Sequence, residues 1–219
     1  MIPLKALTRR LAAILLTVAA GASCRTTGVE PGPPIVQPGA PGESSRVIAA
    51  EKAADLSQVQ YTGADIKFMQ GMIGHHAQAV EMVALVPSRT SWDDMKKLAL
   101  RIDVSQADEI RLMQRWLEVR GQQIPASHAL HVHGATLMPG MLTAEEISRL
   151  ADASGAEFDR LFLEGMIKHH GGALIMVEEL FSTPGAGQEP EIFAFVSDVD
   201  ADQRVENERM GTMLEELQK

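Results

Sequence analysis

Cysteine is almost absent from this chain, since Cys24 is the only one in 219 residues. A disulfide within the chain and a zinc site built from cysteines are therefore both excluded. Aromatic residues make up 4% of the sequence, and the formal net charge is −9. This acidic balance provides no basic surface for nucleic acid. The sequence also offers no Ser-His-Asp arrangement and no phosphate-binding loop, so hydrolase and nucleotide-binding functions have no support.

Long apolar runs are scarce as well, and the one that matters lies near the N-terminus. Three basic residues precede a short apolar run over residues 11–20, and small residues lead to Cys24. This pattern predicts an export signal over residues 1–24 that is too short to span a bilayer comfortably. A cysteine directly after such a segment resembles the lipidation site of bacterial lipoproteins, although Gly21 stands where leucine is usual. Lipidation of Cys24 and ordinary cleavage nearby are the two alternatives, and both place the mature protein in the cell envelope or periplasm.

Residues 25–60 are predicted to form a disordered tether, because proline, glycine and serine are concentrated in their first 20 positions or so. Behind a lipid anchor, such a tether would let the folded domain, residues 61–219, stand off the membrane. A short helix within residues 46–58 is the only structured element that the sequence suggests in this region.

A five-residue motif occurs twice in the folded domain and organises it. Met-Ile-Gly-His-His at residues 72–76 recurs as Met-Ile-Lys-His-His at residues 166–170, an offset of 94 residues. Around each copy, Phe, Met, His, Ala and Met follow one another at steps of 4, 3, 4 and 3 residues. These steps place them on one stripe of an α-helix that faces a partner. The second histidine of each pair lies about 100° further round the helix, beside the same apolar face.

The repeat continues into a second helix in each half, about residues 61–121 and 156–219. Gln, Glu and Met recur there with the same spacing, at residues 106, 109 and 113 and again at 203, 206 and 210. Four helices are predicted, at about 65–85, 92–120, 156–181 and 190–219. Capping boxes are predicted at Thr62–Asp65 and Ser91–Asp94, and Pro87 is predicted to end the first helix. The fold class is therefore all-α, a four-helix bundle built from a duplicated helical hairpin, with a long central connection that crosses over as in ferritin-like bundles.

The paired histidines and nearby methionines suggest a site for a soft metal ion. Imidazole binds several transition metals, and thioether sulfur selects soft ions, above all Cu(I). A methionine stands three residues before the first histidine in each copy, and residues at this spacing share a helix face. Four buried imidazoles would each need a hydrogen-bond partner or a metal ion. The predicted metal ligands are His75, His76, His169, His170, Met72, Met166, Met69, Met82 and Met176.

Two further groups complete the predicted site. Glutamine and glutamate side chains of the second helices could accept hydrogen bonds from the ligating imidazoles; these are Gln106, Glu109, Gln203 and Glu206. The connection between the halves holds three histidines and two methionines within 14 residues, which suggests a second metal-binding group. Its members are His128, His131, His133, Met138 and Met141.

The doubled Met-Ile-x-His-His motif, with its trailing Ala and Met, and the sequence Met-Pro-Gly-Met-Leu-Thr at residues 138–143 resemble domain-of-unknown-function family 305. The resemblance covers about residues 60–219. It implies an exported bacterial protein with a ferritin-like helical bundle, and binding of copper in the periplasm through Met and His. Carried onto this chain, it implies Met72, His75, His76, Met166, His169 and His170 as ligands, with the loop group His128, His131, His133, Met138 and Met141 in addition.

Three functions remain open from the sequence. The first is a copper-binding or copper-buffering protein that binds Cu(I) without turnover, tethered to a membrane through its N-terminal lipid. The second is a structural or interaction bundle whose buried histidines only fix the packing. The third, a ferritin-like di-metal oxidase, is disfavoured because its Glu-x-x-His motifs are missing and methionines occupy the glutamate positions. A non-enzymatic role is expected, and the sequence does not decide between a monomer and a homodimer.

Overall fold

The computed structural model of the chain describes residues 33–37, 44–55, 59–125, 137–217 and 219. The predicted signal segment with Cys24 lies outside the described residues, as do His128, His131 and His133 of the predicted loop group. The chain divides into two compact units, Met1–Ala53 and Ala54–Lys219. Among the described residues, no helix has the length and apolar character needed to cross a membrane.

The first unit contains a short strand pair within the segment that was expected to be a disordered tether. Strand β1 (Ile35–Gln37) pairs antiparallel with β2 (Arg46–Ile48), and helix α1 (Ala50–Ala54) follows. Helix α1 lies within the range 46–58 in which the sequence suggests a short helix, whereas the strand pair is not predicted from the sequence. The physical reason for the strand pair is that β-branched valine and isoleucine, which favour strands, stand on both sides of a Pro/Gly-rich stretch.

The second unit is all-helical in its described residues, as the sequence predicts. Its four long helices are α2 (Gly63–Arg89), α3 (Asp93–Val119), α5 (Gly155–Ser182) and α6 (Pro190–Leu217), and the short α4 (Ala144–Asp152) precedes α5. Helices α2 and α3 pack as one hairpin and α5 and α6 as another, and the hairpins contact each other through α2 and α5. The two motif-bearing helices are therefore paired at the centre of this unit.

The start of α2 follows the prediction. Asp65 N–H donates to the Thr62 hydroxyl at 3.3 Å, and Thr62 N–H donates to Asp65 Oδ2 at 2.6 Å, which completes the predicted capping box. The other oxygen of Asp65 accepts a 2.7 Å hydrogen bond from the Gly187 N–H in the turn between α5 and α6. One carboxylate therefore both starts α2 and ties it to the opposite hairpin.

The predicted turn between α2 and α3 is wrong in two details. Pro87 does not end α2, which continues to Arg89, because buried Val83 and Val86 hold the last turn in the core. That packing offsets the one backbone hydrogen bond that a proline removes. No capping box forms at Ser91; the N-cap of α3 is Trp92, whose N–H donates to the Thr90 hydroxyl at 3.0 Å.

Residues 138–142 form a segment, here called the crossing segment, that packs across α2 and α5. The Gln78 side chain on α2 clamps its end: Gln78 Nε2 donates to the Leu142 carbonyl at 3.0 Å, and the Leu142 N–H donates to Gln78 Oε1 at 2.7 Å. On α5, Gly172 stands at the repeat position of Gln78. A Cβ atom at Gly172 would lie 2.0 Å from the Pro139 carbonyl oxygen. The segment is therefore held by a side chain on one helix and seated on the bare backbone of the other.

Replacing Gly172 with alanine should destabilise the protein, because the new methyl group would overlap the backbone of the crossing segment. Overpacking of this kind costs roughly 1–3 kcal/mol. At the neighbouring Gly171, an added methyl group would have nothing within 4 Å, so Gly171→Ala is a matched control in the same helix turn. It should be neutral or stabilising, by up to about 1 kcal/mol, because alanine favours helix over glycine. Urea denaturation of both variants measures the difference, and equal stabilities would contradict this packing.

Candidate metal centre

Four imidazoles lie together in the core between α2 and α5. His75 and His76 on α2 and His169 and His170 on α5 are each 0% exposed. The His75 and His169 rings meet across the helix pair, with their centroids 3.9 Å apart and their planes inclined by 38°. Within each pair the ring centroids are 6.4 Å and 6.3 Å apart. The helical stripe inferred from the sequence therefore points inward, and it brings both copies of the motif into contact.

The two central imidazoles are hydrogen-bonded to backbone carbonyls. His75 Nε2 donates to the Pro139 carbonyl of the crossing segment at 3.0 Å, and His169 Nε2 donates to the His75 carbonyl at 2.9 Å. A carbonyl oxygen can only accept a hydrogen bond. The proton of each neutral ring must therefore be on Nε2, which leaves a lone pair on Nδ1.

The two outer imidazoles are held by carboxylates of the second helices. His76 Nε2 donates to Glu109 Oε2 at 2.5 Å, and His170 Nε2 donates to Glu206 Oε2 at 2.7 Å. These glutamates occupy equivalent positions on α3 and α6, so the two halves use the same device. Carboxylate acceptors of this kind fix the tautomer of a histidine and raise its basicity as a metal ligand.

The surroundings of the two glutamates differ between the halves. Glu109 Oε1 accepts a 3.2 Å hydrogen bond from the Ser105 hydroxyl, whereas Glu206 Oε1 lies 3.8 Å from the Arg101 Nε. The predicted glutamine partners, Gln106 and Gln203, are each 1% exposed. The Oε1 atoms of both glutamines lack a hydrogen-bond partner among the described residues. In the described residues, the imidazoles are thus supported by the glutamates and by two backbone carbonyls.

All four Nδ1 atoms are buried and lack a hydrogen-bond partner within the described part of the chain. Buried polar atoms are normally paired, so four equivalent exceptions in one cluster call for an explanation. A second proton on any of these rings would sit on Nδ1 without an acceptor. The neutral ring, with its Nδ1 lone pair free, is the form that binds a metal ion. The donor set therefore fits a transition metal that accepts nitrogen ligands.

Burial and mutual repulsion keep the central rings neutral. The pKa of His75 is lowered to about 3, chiefly by burial and secondly by the neighbouring His76. The hydrogen bond to the Pro139 carbonyl acts in the opposite direction and raises this pKa. The pKa of His169 is also lowered well below its usual value, first by burial and then by His75, His170 and His76. Both rings are therefore free of excess protons at neutral pH.

Methionines flank the histidine layer on both sides. One core cluster includes Met69, Met72 and Met176, and the other includes Met82 and Met166. Along each of the two central helices the histidines lie between these clusters. Met141 of the crossing segment is 5% exposed, and Met138 is half-buried against the first cluster. All the predicted methionine ligands on the helices are thus core residues close in sequence to the histidines.

Histidine, cysteine and carboxylate ligands alone do not make a closed metal site. In residues 33–37, 44–55, 59–125, 137–217 and 219, no three such side chains are arranged to hold a metal ion. Thioether sulfur is outside that set of ligands. The core residues that could add donors to the imidazole nitrogens are the methionines that precede and follow the histidines on α2 and α5. Nitrogen together with thioether sulfur is a donor combination suited to soft ions.

Some supporting residues could not be found from the sequence. The Pro139 and His75 carbonyls are backbone atoms and leave no compositional signal. Ser105 and Arg101 stand four and eight residues before Glu109, and this helical spacing is the only indication of a shared face. Gln78 breaks the repeat, because the equivalent residue is Gly172, and that mismatch marks where the two halves differ.

The fold and site define a class of protein: a helical domain with twin histidine pairs buried in a methionine-rich core. The chain belongs to the family described as Domain of unknown function (DUF305), whose model matches residues 65–214. A comparison with curated proteins finds no match.

Solved structures of similar proteins fall into two groups. A DUF305 protein from Streptomyces coelicolor, described as secreted, is 29% identical with a TM-score of 0.60, covering 70% of this chain and 93% of its own. A DUF305 fragment from Deinococcus radiodurans is 29% identical with a TM-score of 0.61, covering 71% and 98%. CopM in a Cu(II)-bound form is 28% identical with a TM-score of 0.56, covering 69% and 96%. CopM is also known in Cu(I)-bound and Ag-bound forms.

The metal-free protein should lose stability as the pH falls from 7 to 5. Folded His75 stays neutral down to its pKa of about 3, whereas the unfolded chain takes up a proton near pH 6.5. The unfolded state therefore binds more protons, which lowers the free energy of unfolding by about 2 kcal/mol at pH 5 for this residue. His169 acts in the same direction. Urea denaturation at the two pH values measures the loss.

His75→Gln is the control for this effect. A glutamine Nε2 can still donate to the Pro139 carbonyl, but it does not titrate. The decrease in stability between pH 7 and pH 5 should therefore be smaller in the variant by about the contribution of His75. An equal decrease in both proteins would show that this imidazole is not held neutral by the fold.

Proposed function

We propose that the protein is an exported, membrane-tethered copper-binding protein that buffers Cu(I) in the cell envelope through Met and His. The observation that carries the proposal is the set of four buried Nδ1 atoms without partners in the described part of the chain, whose rings are all fixed by hydrogen bonds through Nε2. The similarity to CopM, which is known with Cu(I), Cu(II) and Ag bound, supports it.

The chain's own residues divide this task between them. His75, His76, His169 and His170 supply Nδ1 as a nitrogen donor, and the methionines before and after them supply sulfur. Glu109 and Glu206 hold the outer rings and increase their donor strength. The crossing segment covers His75 through the Pro139 carbonyl. A bound soft ion would give a ligand bond to the Nδ1 atoms, which have no hydrogen-bond partner in the described part of the chain.

The arrangement of the helices belongs to the same proposal. We interpret the four long helices as a ferritin-like four-helix bundle derived from a duplicated hairpin, with the connection that contains the crossing segment joining the halves. The pairing of α2 with α3, α5 with α6 and α2 with α5 supports this interpretation. Bundles commonly place metal ligands on facing helices, as the two histidine pairs are placed here.

A structural role is the second candidate, because each imidazole already has one partner. The Nε2 hydrogen bonds alone could fix the register of the two hairpins, as buried polar groups do in some helical proteins. Under that hypothesis the Nδ1 atoms would remain without ligands. An oxidase of the di-metal type has less support, since Met72 and Met166 occupy the glutamate positions it requires and both carboxylates are engaged by Nε2.

Cu(I) competition separates the first two candidates. Mature protein should retain Cu(I) against a competing chelator. The double variant His75→Gln with His169→Gln should lower the Cu(I) affinity by on the order of 100-fold, because replacing even the residues that only hydrogen-bond to metal ligands can lower metal affinity that much. Glutamine keeps an Nε2 donor for the carbonyls but removes Nδ1, so the fold should survive. Unchanged affinity in this double variant would exclude the core site.

The loop histidines provide the comparison in the same assay. His128→Gln with His131→Gln removes the same number of imidazoles from the connection between the halves. We expect most of the affinity to remain in this variant, because the core site is intact. A loss confined to the loop variant would move the metal site out of the bundle.

Membrane attachment can be tested at Cys24. We propose that this residue is lipidated after the export signal is removed, so the wild-type protein should fractionate with membranes and incorporate labelled fatty acid. Cys24→Ser removes the thiol that carries the lipid and should release the protein into the soluble envelope fraction. Retention of the variant in the membrane fraction would contradict lipid anchoring, while leaving the metal site untouched.

A further inference from the structure

The two halves of the core differ in the sulfur that surrounds their equivalent glycines, Gly71 and Gly165. A Cβ atom at Gly71 would lie 3.3 Å from Met138 Sδ and 3.5 Å from Met176 Cε. A Cβ atom at Gly165 would lie 3.3 Å from Met82 Cε and 3.1 Å from Leu142 Cδ2. Each glycine thus faces the trailing methionine of the opposite motif, together with one side chain of the crossing segment. That side chain contains sulfur only at Gly71.

Packing alone does not explain the second methionine. Leucine fills the equivalent place at Gly165, where the neighbour is again a methionine and the glycine leaves the same room. Leucine and methionine are close in volume and exchange at small cost in most cores. What Met138 adds beyond leucine is a polarizable thioether beside a second thioether, and such ligands select soft ions.

The methionine side chains near Gly71 are more exposed than Met82 near Gly165, although Gly165 and Leu142 themselves line a surface cavity of about 190 Å³. Met176 is 9% exposed and Met138 is half-buried, whereas Met82 is fully buried. Met176 lines an open surface cleft of about 300 Å³ together with Lys67 and Glu179. These two residues bring one charge of each sign, so the cleft does not select ions by net charge. Met176 contributes the sulfur of this cleft, and Met138 approaches it from the other side of Gly71.

The residues around Gly71 are close in sequence to residues that contact the buried histidines. Met138 is followed directly by Pro139, whose carbonyl accepts the His75 Nε2 hydrogen bond at 3.0 Å. Met72, one residue from Gly71, precedes His75 by one helical turn and is fully buried. A soft ion held over Gly71 would therefore lie on the outer side of the buried donors.

We propose that Met138 and Met176 form a thioether site at the edge of the core, over Gly71, which captures a soft monovalent cation, Cu(I) or Ag(I), before it reaches the buried histidines. This inference rests on the proposed function and adds a direction to it: the ion enters from one end of the pseudo-symmetric core. The other end, with Met82 and Leu142 at Gly165, has one thioether and does not capture the ion.

Methyl NMR of the mature chain tests this site, with methionine methyl groups labelled with carbon-13 and Ag(I) as the probe. The first additions of Ag(I) should shift the Met138 and Met176 methyl signals and leave the Met82 signal in place. Met138→Leu should remove the early shift of Met176 and weaken the first binding step by roughly tenfold or more. Equal responses of Met82 and Met176, or none from Met138, would overturn the proposal.

A reciprocal variant keeps the test decisive if Met138→Leu has side effects on the fold. Leu142→Met places a second thioether beside Met82 at Gly165, which should make the Met82 methyl signal respond to Ag(I). No new response in a folded variant would contradict the claim that paired thioethers at these glycines define the site.

The imidazole nitrogen signals, recorded in the same titration, separate this proposal from the function on which it rests. If the Nδ1 signals respond to Ag(I) while Met138 and Met176 do not, the thioether site at the edge of the core is wrong and core binding stands. If neither set responds, both proposals fail.

Discussion

The structure depends on the hydrogen bonds that Nε2 of each buried imidazole donates. Two Nε2 atoms donate to backbone carbonyls and two to glutamates on the second helices, at distances between 2.5 and 3.0 Å. A buried imidazole without any partner costs about 1–3 kcal/mol, so these bonds are what allow four of them in a methionine-rich core. These hydrogen bonds also determine which ring nitrogen remains available as a metal ligand. Because Nε2 is engaged in every ring, Nδ1 is the nitrogen that each of the four rings leaves for a metal ion.

The sequence repeat places equivalent residues in the two halves of this core, and the crossing segment makes the halves unequal. In a strictly symmetric pair, both central imidazoles would donate to backbone carbonyls at equivalent positions. Here His169 donates to the opposite helix and His75 to Pro139. The difference follows from Gln78 and Gly172, which occupy the same repeat position: one clamps the segment and the other makes room for it.

Much of this could be predicted because helical periodicity and exact repeats survive in a sequence. The stripe through Met72 and His75 predicted the all-α fold and the buried faces, and the recurrence of Glu109 as Glu206 indicated acceptors behind the rings. The details that escaped prediction depend on tertiary packing. Pro87 is tolerated because Val83 and Val86 are buried, and Ser91 does not cap α3 because the helix begins one residue later, with Trp92 as its N-cap. The Pro139 carbonyl belongs to the backbone, so no pattern of residue types could predict its hydrogen bond with His75. The strand pair of residues 35–37 and 46–48 was masked by the Pro/Gly-rich composition around it.

Nitrogen-15 NMR of the metal-free mature protein measures directly which nitrogen of each buried imidazole carries the proton. Long-range correlations from the ring protons distinguish a protonated from an unprotonated imidazole nitrogen. We predict that His75, His76, His169 and His170 all carry the proton on Nε2 at neutral pH, and that Cu(I) then perturbs their unprotonated Nδ1 signals. Protons on Nδ1 in these residues, or Nδ1 signals that do not change when Cu(I) is added, would contradict the account.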